Sequence, residues 1–553
     1  MTINMSRSVN KRSGYQQNTI SDKSSIGSIA GDFNGAAVGR FTRGRIDKAF
    51  AVSAEKLDRQ LGDSVSLNVT ALGEAKIQAY EALRYGAQQM VISRLIASDA
   101  VNKLLIVGTG VAPAGGGAAP AVWSTGLQSA GLPAGGLIAF KHLDCFNDGL
   151  DCQINASVTE DAKAVLVPSK VITVQFADPV DGKIIIGPFT GSLDPDARDE
   201  YRKSYFIQDV IEAGTSALEV IEVASGAEVP VTSPFYGLLN NKPKFASETL
   251  KYFTEGMTVY TAAELAAGVD RLRRARPNFT YLSVGGSENV ALITAVADLG
   301  LEINKQFVFD VPGRFDPEAA ARFIQSLGAS VKTLYAQAFW APVRRDNPIA
   351  GGKAWFGTSG QQIGLRCARN AQVNAQGIAP RNQPIAGSDY GLSGTNASQT
   401  YDPSDDELEL LAENQINPCI FKEYPTGGAK YAWVDSLTGA QTDGATKLIA
   451  VAEMATCLDD NVSSFGQQAL QKPMNEAIKM TLRFLGPLLK AMQSAGWFEP
   501  TGELEGRAYE AEVAPNEAAP YDTMDTRYNV CYVGTNRKTI GGQTIVRKSA
   551  AQA

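Results

Sequence analysis

AAELAAGVDRLRRA at 262–275, FTYLSVGG at 279–286, ENVALITAVADLG at 288–300, KQFVFDVPG at 305–313, PEAAARFIQSLG at 317–328 and VKTLYAQAFWAP at 331–342 alternate between two periodicities. The first, third and fifth repeat apolar residues at helical spacing. The others are short apolar runs with β-branched and aromatic residues. Pro317 sits at the first turn of its helix, where a missing N–H costs nothing. Helix alternating with buried strand predicts a mostly parallel sheet with helices on its faces.

Upstream, FTRGRIDKAFAVSAEKLDRQLG (41–62) reads as an extended piece followed by a short helix that Ser53 can cap, with Gly62 after its end. GEAKIQAYEALRYG (73–86) is a second helix stopped by Gly86, followed by the strand-like QQMVISRLIAS (88–98) and LLIVG (104–108), the latter placed in the same α/β layer. From 107 to 136 a Gly, Ala and Pro rich crossing predicts no regular structure. Beyond it AVLV (164–167), VITVQF (171–176), KIIIGPF (183–189) and SALEVIEVA (216–224) are strands, with Asp181–Gly182 as a hairpin turn. The expected organisation is multi-domain α/β, α+β overall. An α/β core at 41–105 and 241–440 is interrupted by a mainly β insertion at 106–240, followed by a C-terminal α/β domain at 441–535. Arms at 1–40 and 536–553 flank these.

The C-terminal region opens with a helix around TKLIAVAEMATCLDDNV (446–462) and continues in MNEAIKMTLRFLGPLLKAMQSAGW (474–497). At about 100° per residue, Lys479, Arg483 and Lys490 share one narrow sector, and Leu482, Leu485, Leu489 and Met492 share the other side. Pro487 cannot donate to the carbonyl of Arg483, so a kink or break is expected there. NVCYV (529–533) alternates like a strand, Gly541–Gly542 forms a hinge, and QTIVR (543–547) is a short β-competent segment.

Charge separates the ends from the body. Residues 1–48 hold eight Lys and Arg against three Asp, and 526–553 hold five Lys and Arg without an acid, so with −7 for the whole chain the remainder carries −17. Basic, glycine-punctuated ends on an acidic body point to association with copies of the same chain. A net −7 argues against nucleic acid as the main partner. The start, MTINMSRSVNKRSGYQQN, has no apolar stretch for a secretory signal, and no run of eighteen apolar residues occurs, which predicts synthesis in a cytoplasm and no membrane insertion.

Catalytic signals are sparse. With His142 the only histidine, Ser-His-Asp, Cys-His and multi-histidine metal arrangements have little to draw on. Asp144, Asp148 and Asp151 around it do not match an EF-hand loop. Cys145 and Cys152 make a poor zinc pair, and six scattered cysteines make no disulfide framework. Gly108 and Gly110 after a strand invite a dinucleotide reading, yet the third glycine is missing and Pro113 stands where a helix should begin. Asp405, Asp406 and Glu407 fit a helix start, where negative charge is favoured. No catalytic, cofactor-binding or metal-ligating residue is expected, and no cofactor.

GRFTRGRIDKAFAVSAEKLDRQLG (39–62), AYEALRYGAQQMVISRL (79–95), NPIAGGKAWFGTSGQQIGLRCARN (347–370), GIAPRNQPIAG (377–387) and LELLAENQINPCIF (408–421) resemble the tail sheath proteins of contractile phages and related injection systems. The resemblance covers most of the chain except about 110–240. It implies a structural subunit, not an enzyme, that polymerises as stacked six-membered rings around a tail tube and contracts from a strained extended state to drive the tube through the host envelope.

Implied partners are the chain itself, a tail tube protein, and baseplate and terminator or neck proteins. The implied location is a virion tail assembled in the host cytoplasm. The arms would exchange strands between subunits through Tyr15 and Ile20 at one end and Gln543, Thr544, Ile545, Val546 and Arg547 at the other. Gly541 and Gly542 would serve as the hinge, and Lys479, Arg483 and Lys490 would face the tube. A nucleotide-binding α/β enzyme and a non-contracting shell or tube protein are the competing readings.

Overall fold

The computed structural model describes residues 33–63, 66–68, 73–110, 122–158, 170–227, 238–239, 242–243, 246–257, 259–392, 396–426 and 428–543. The chain enters the core at β1 (Asn34–Gly39), followed by β2 (Phe50–Val52), α1 (Leu57–Leu61), α2 (Glu74–Tyr85) and β3 (Gln89–Arg94). Here the expected end of the N-terminal arm at residue 40 is corrected, because β1 is an interior strand paired in parallel with β3 and with the strand at 281–283, while residues 1–32 lie outside the described residues. Its small side chains are a packing requirement. A Cβ on Gly35 would lie 2.7 Å from Ile363 Cγ2 and Met90 Sδ, and one on Gly39 would lie 2.6 Å from Ala75 Cβ. Ser53 makes no side-chain cap.

The chain then leaves the core for a β unit: β4 (Val101–Asn102), β5 (Leu104–Gly110), β6 (Val122–Gln128), β7 (Gly136–His142), β8 (Leu150–Val158), β9 (Lys170–Ala177), β10 (Ile184–Gly191), α3 (Ile207–Gly214), β11 (Leu218–Val223), β12 (Leu238–Leu239), β13 (Lys242–Pro243), β14 (Ala246–Leu250) and β15 (Phe253–Thr254). Two four-stranded sheets, β11-β7-β5-β6 and β10-β9-β8-β14, enclose a core of Leu105, Phe140, Val174, Phe176, Ile207 and neighbours. Two expectations change. LLIVG belongs to this unit as β5, and the crossing at 107–136 supplies an antiparallel partner from Leu104↔Gln128 to Gly110↔Val122. The observed unit is closed by the β4–β15 pairing of Val101 with Thr254, so its ends lie outside 106–240. Asp181–Gly182 lies in the β9–β10 turn, with Gly182 at φ 68°. AVLV lies outside the described residues.

FTRGR ties the β unit to the core. Arg43 binds Asp148 and Asp178, Arg45 donates to Ser216 O at 2.8 Å, and buried Arg94 donates to Gly44 O at 2.9 Å and Cys145 O at 2.6 Å. His142 is buried against the Tyr252 hydroxyl, and burial pushes its pKa down to about 3, so the imidazole stays neutral and structural.

Back in the core follow α4 (Ala262–Arg273), β16 (Tyr281–Ser283), α5 (Val290–Glu302), β17 (Gln306–Val311), α6 (Pro317–Ser326), β18 (Ala336–Trp340), β19 (Val343–Asp346), β20 (Lys353–Trp355), α7 (Ser359–Asn370), β21 (Ser398–Gln399), α8 (Asp405–Glu413), β22 (Ile416–Tyr424) and β23 (Gly428–Trp433). The sheet order is β2-β3-β1-β16-β17-β18-β22-β23, parallel throughout except at the two edge strands. Thr261 with Glu264 and Ser404 with Glu407 form capping boxes, and Asp316 caps the helix that Pro317 begins. The carboxylates at 405–407 therefore belong to a helix start.

The C-terminal region contains α9 (Ile449–Ala469), α10 (Met474–Ser494), β24 (Tyr509–Pro515) and β25 (Met524–Val530). α10 runs through Pro487 as one helix, so of the kink or break expected there the break does not occur. Arg483 and Pro487 both lie on its exposed side, where water can take the carbonyl that Pro487 leaves unbonded. Leu485, Leu489 and Met492 are buried as expected, but Leu482 is 43% exposed. β25 ends at Val530, before most of NVCYV. Tyr532 makes only an isolated bridge to Phe498.

Candidate assembly surface

The amino-terminal edge of the parallel sheet is where the C-terminal region is fastened to the core. Tyr281, Gln306 and Gln337 stand at the starts of β16, β17 and β18, and α9 packs against this edge. The Tyr281 hydroxyl donates to buried Glu453 at 2.6 Å, Arg369 pairs with Glu453 at 2.9 Å, and Asn370 donates to Tyr281 Oη at 2.9 Å. Burial raises the Glu453 pKa, but Arg369 and Arg366 outweigh it and hold the carboxyl at about 2. Lys305 reaches Asp460 at 2.6 Å, and Trp497 Nε1 donates to Ala379 O at 3.0 Å. The C-terminal region is thus joined to the core by buried and partly buried polar contacts.

Thr280 N donates to Asn34 O at 3.0 Å, at the start of β1. Tyr15 and Ile20 lie outside the described residues. At the other end Val533 N donates to Trp497 O at 2.9 Å, and the Arg537 guanidinium forks onto Asp435, Nε to Oδ1 at 2.6 Å. Beyond that pair the chain is exposed: Ile540 is 90% accessible, and a Cβ on Gly541 or Gly542 would meet nothing within 4 Å. Gln543 is exposed as well, whereas Thr544, Ile545, Val546 and Arg547 lie outside the described residues.

The β24–β25 hairpin is in register from Tyr509↔Val530 to Pro515↔Met524. Tyr509, Ala511, Val513, Tyr528 and Val530 face the α9–α10 core around Leu485, Leu488 and Met492. Tyr528 Oη also donates to Asp459 of α9. Glu510, Glu512, Arg527 and Asn529 face solvent. Among the described residues no further strand pairs with either outer edge. An edge of this kind leaves alternate N–H and C=O groups ready to accept a strand. On α10, Lys479, Arg483 and Lys490 are exposed, and their side chains make no ion pair or hydrogen bond among the described residues.

The carboxyl edge of the sheet, where open α/β folds bind ligands, is arranged differently. A cleft of about 530 Å³ is lined by Gly39, Glu74, Tyr260, Gly286, Asn289 and Arg314. Next to it the first amides of α7 are taken by the protein itself. Gly357 N bonds Glu74 at 2.7 Å, Thr358 N and Ser359 N bond Asp310 at 2.6 and 3.0 Å, and Gly360 N bonds Gln78 at 2.7 Å. Internal carboxylates therefore fill the place a phosphate would take. Burial pushes Glu74 up to about 8 and Asp310 up to about 6. Gly108 and Gly110 lie within β5, paired to β6, so they form no turn before a helix. Among the described residues no three His, Cys, Asp or Glu side chains converge on a metal position. No helix among them is long and apolar enough to cross a membrane.

Sequence patterns did not reveal Glu453, Arg369 or Asp435. Each is an ordinary charged residue whose partner is remote in sequence: Arg537 and Asp435 are 102 positions apart.

No protein-family model and no curated protein matches this chain. Among solved structures it is similar to a sheath tail protein from Desulfitobacterium hafniense, at 13% identity over 94% of this chain and 100% of that one, with TM-score 0.46. It is also similar to a chain of the contracted sheath complex of an extracellular contractile injection system, at 14% identity over 50% of this chain and 74% of that one, TM-score 0.41. A third similarity is to a chain in the anti-feeding prophage baseplate, at 15% identity over 52% and 75%, TM-score 0.40. All three are at low identity, so the functional reading rests on this chain's own residues.

Proposed function

We propose that this chain is the structural subunit of a contractile tail sheath, without an enzymatic role. Its copies polymerise as stacked six-membered rings around a tail tube, and contraction of the lattice drives that tube through a host envelope. The observation that carries the reading is the β24–β25 hairpin, on whose outer edges no further strand pairs among the described residues, followed in the chain by the exposed glycine-bearing segment 538–543. A two-stranded ribbon is marginal alone, and strands added by neighbours complete it. A short link offers a few backbone hydrogen bonds at roughly 1 kcal/mol net each, and repetition through a lattice makes such links strong.

In this reading the arms before β1 and after Asn536 donate strands, through Tyr15 and Ile20 at one end and Gln543–Arg547 at the other. Gly541 and Gly542 absorb the change of direction as subunits slide. Lys479, Arg483 and Lys490 face the tube through salt-sensitive contacts weak enough to break on contraction. The partners are the tube protein and the baseplate and terminator or neck proteins of a virion tail assembled in the host cytoplasm. The resemblance carried by GRFTRGRIDKAF, the 347–370 stretch and LELLAENQINPCIF supports the same reading. Deleting the residues after Asn536 should leave a folded monomer that does not polymerise. Ordinary tubes of the deletion variant in negative-stain electron microscopy would sink the reading.

A further inference from the structure

The cleft at the carboxyl edge of the core sheet lies where the strand order turns. From β1 the chain passes to β3 on one side, and after the β unit it returns to β16 on the other. The helices that follow these two strands take opposite faces. α2 packs over Ala37 and Ile92, whereas α5 packs over Ala36 and Val91. A parallel sheet divided in this way opens a crevice outside the carboxyl ends of the two strands, and open α/β folds place ligands there. The cleft of about 530 Å³ occupies that position, between Gly39 and Arg40 after β1 and Val284–Asn289 after β16. Its walls include Leu95, where the chain leaves for the β unit, and Tyr260, where it returns.

The floor is aliphatic, since Leu95, Leu265, Val284 and Leu292 line the cleft and are buried. Of the polar walls, Arg40 and Tyr260 have capacity left. Arg40 gives one nitrogen to Glu255 at 3.2 Å, a carboxylate it shares with Arg94 at 3.7 Å. Its Nε and Nη1 take no acceptor among the described residues. The Tyr260 hydroxyl oxygen is shut off from water and has no hydrogen-bond partner among the described residues. It lies within electrostatic reach of Arg40, and burial pushes its pKa up to about 12, so it keeps a proton to donate. The remaining charged walls are occupied or neutral. Arg314 forks onto Glu288, and Glu74, raised by burial to about 8, is uncharged at neutral pH and does not repel an anion. A shielded hydroxyl without a partner is costly, and an acceptor brought by a ligand removes that cost.

We propose that this cleft binds a small organic acid. Arg40 and the Tyr260 hydroxyl take its carboxylate or phosphate head, and Leu95, Leu265, Val284 and Leu292 carry its apolar body. The site does not depend on the assembly reading, because it lies at the opposite edge of the sheet from the α9 contacts and needs no second copy of the chain.

The test uses the full chain with benzoate, phenyl phosphate, neutral benzamide and inorganic phosphate as probes, followed by saturation-transfer NMR and titration calorimetry. Benzoate or phenyl phosphate should bind saturably, about tenfold or more tighter than benzamide and inorganic phosphate, and the tighter of the two identifies the head. Tyr260→Phe should weaken that binding about threefold or more, and Arg40→Gln about tenfold or more. Arg40→Gln also takes a partner from Glu255, so its fold is checked by thermal unfolding; Tyr260→Phe removes a single oxygen and carries the test by itself. Lys490→Gln on α10 should leave binding unchanged. The proposal is overturned if neither acid binds saturably, if benzamide binds as well as benzoate, or if inorganic phosphate binds as well as phenyl phosphate. Affinity untouched by Tyr260→Phe overturns it equally, since binding would then lie elsewhere.

Discussion

Asn34–Gly39 and Thr539–Gln543 are both short and glycine-bearing, near opposite ends of the chain, and they meet opposite fates. The first is buried between two parallel neighbours, with its glycines pressed against Ile363, Met90 and Ala75. The second stands in solvent, and its glycines touch nothing within 4 Å. The same residue type serves close approach in one place and freedom of movement in the other, and only the surroundings distinguish them.

The comparison can be broken most severely through the network that holds α9 beside the start of β1. Glu453→Ala would leave Arg369 and Arg366 buried without their carboxylate, and is expected to cost about 3–5 kcal/mol in denaturant unfolding. The charged carboxylate is held at about 2 against an ordinary 4.5, so its contribution is present above pH 4.5 and is lost as pH falls through about 2. Removal of Glu453 should therefore weaken the acid dependence. An unchanged acid limb would show that the pair does not hold the region.

Gly39→Val tests the buried member directly. Overpacking against Ala75 should cost about 1–3 kcal/mol, while Gly541→Ala with Gly542→Ala should shift stability by less than about 0.5 kcal/mol. Equal thermal shifts for the two changes would erase the contrast drawn between the segments.

Glu74, which begins α2 next to Ala75, sharpens the comparison by its proton. Its pKa is raised from 4.5 to about 8 by burial, so its stabilisation is full below pH 4.5 and is lost as pH rises through about 8. Glu74→Gln is expected to flatten the stability profile across that window, measured by unfolding at pH 5, 7 and 9. A profile as steep as that of the natural chain would contradict it.

Asp435→Ala should have the smallest effect on stability, below about 1 kcal/mol for a partly exposed pair. It should nevertheless speed tryptic cleavage after Arg537 and Lys538. Unchanged cleavage would show that Asp435 does not moor the tail.

The alternation from Ala262 to Pro342 made the α/β layer readable, because a parallel sheet covered on both faces imposes helical and continuous-apolar periods in turn. The Thr261, Asp316 and Ser404 starts were readable for the same local reason: capping acts within one turn. β1 was hidden because Gly and Ala carry almost no periodic signal even when wholly buried. β5 and β6 were hidden in a Gly-rich run whose pairing depends on residues across a gap. Of the assembly surface, the exposed basic sector of α10 followed from helix geometry, whereas the hairpin edges and the Arg537–Asp435 pair did not.

Sequence by itself determined the class of the central layer, the scarcity of catalytic groups and the basic character of both ends, since these depend on composition and short-range periodicity. Tertiary structure alone decided that Asn34–Gly39 lies inside the sheet, that Glu453 fastens the C-terminal region to its amino edge, and that residues 538–543 stand in solvent beyond the Arg537–Asp435 pair. Those outcomes depend on contacts between residues far apart in the chain, where a glycine or a carboxylate acquires its role from what folds against it.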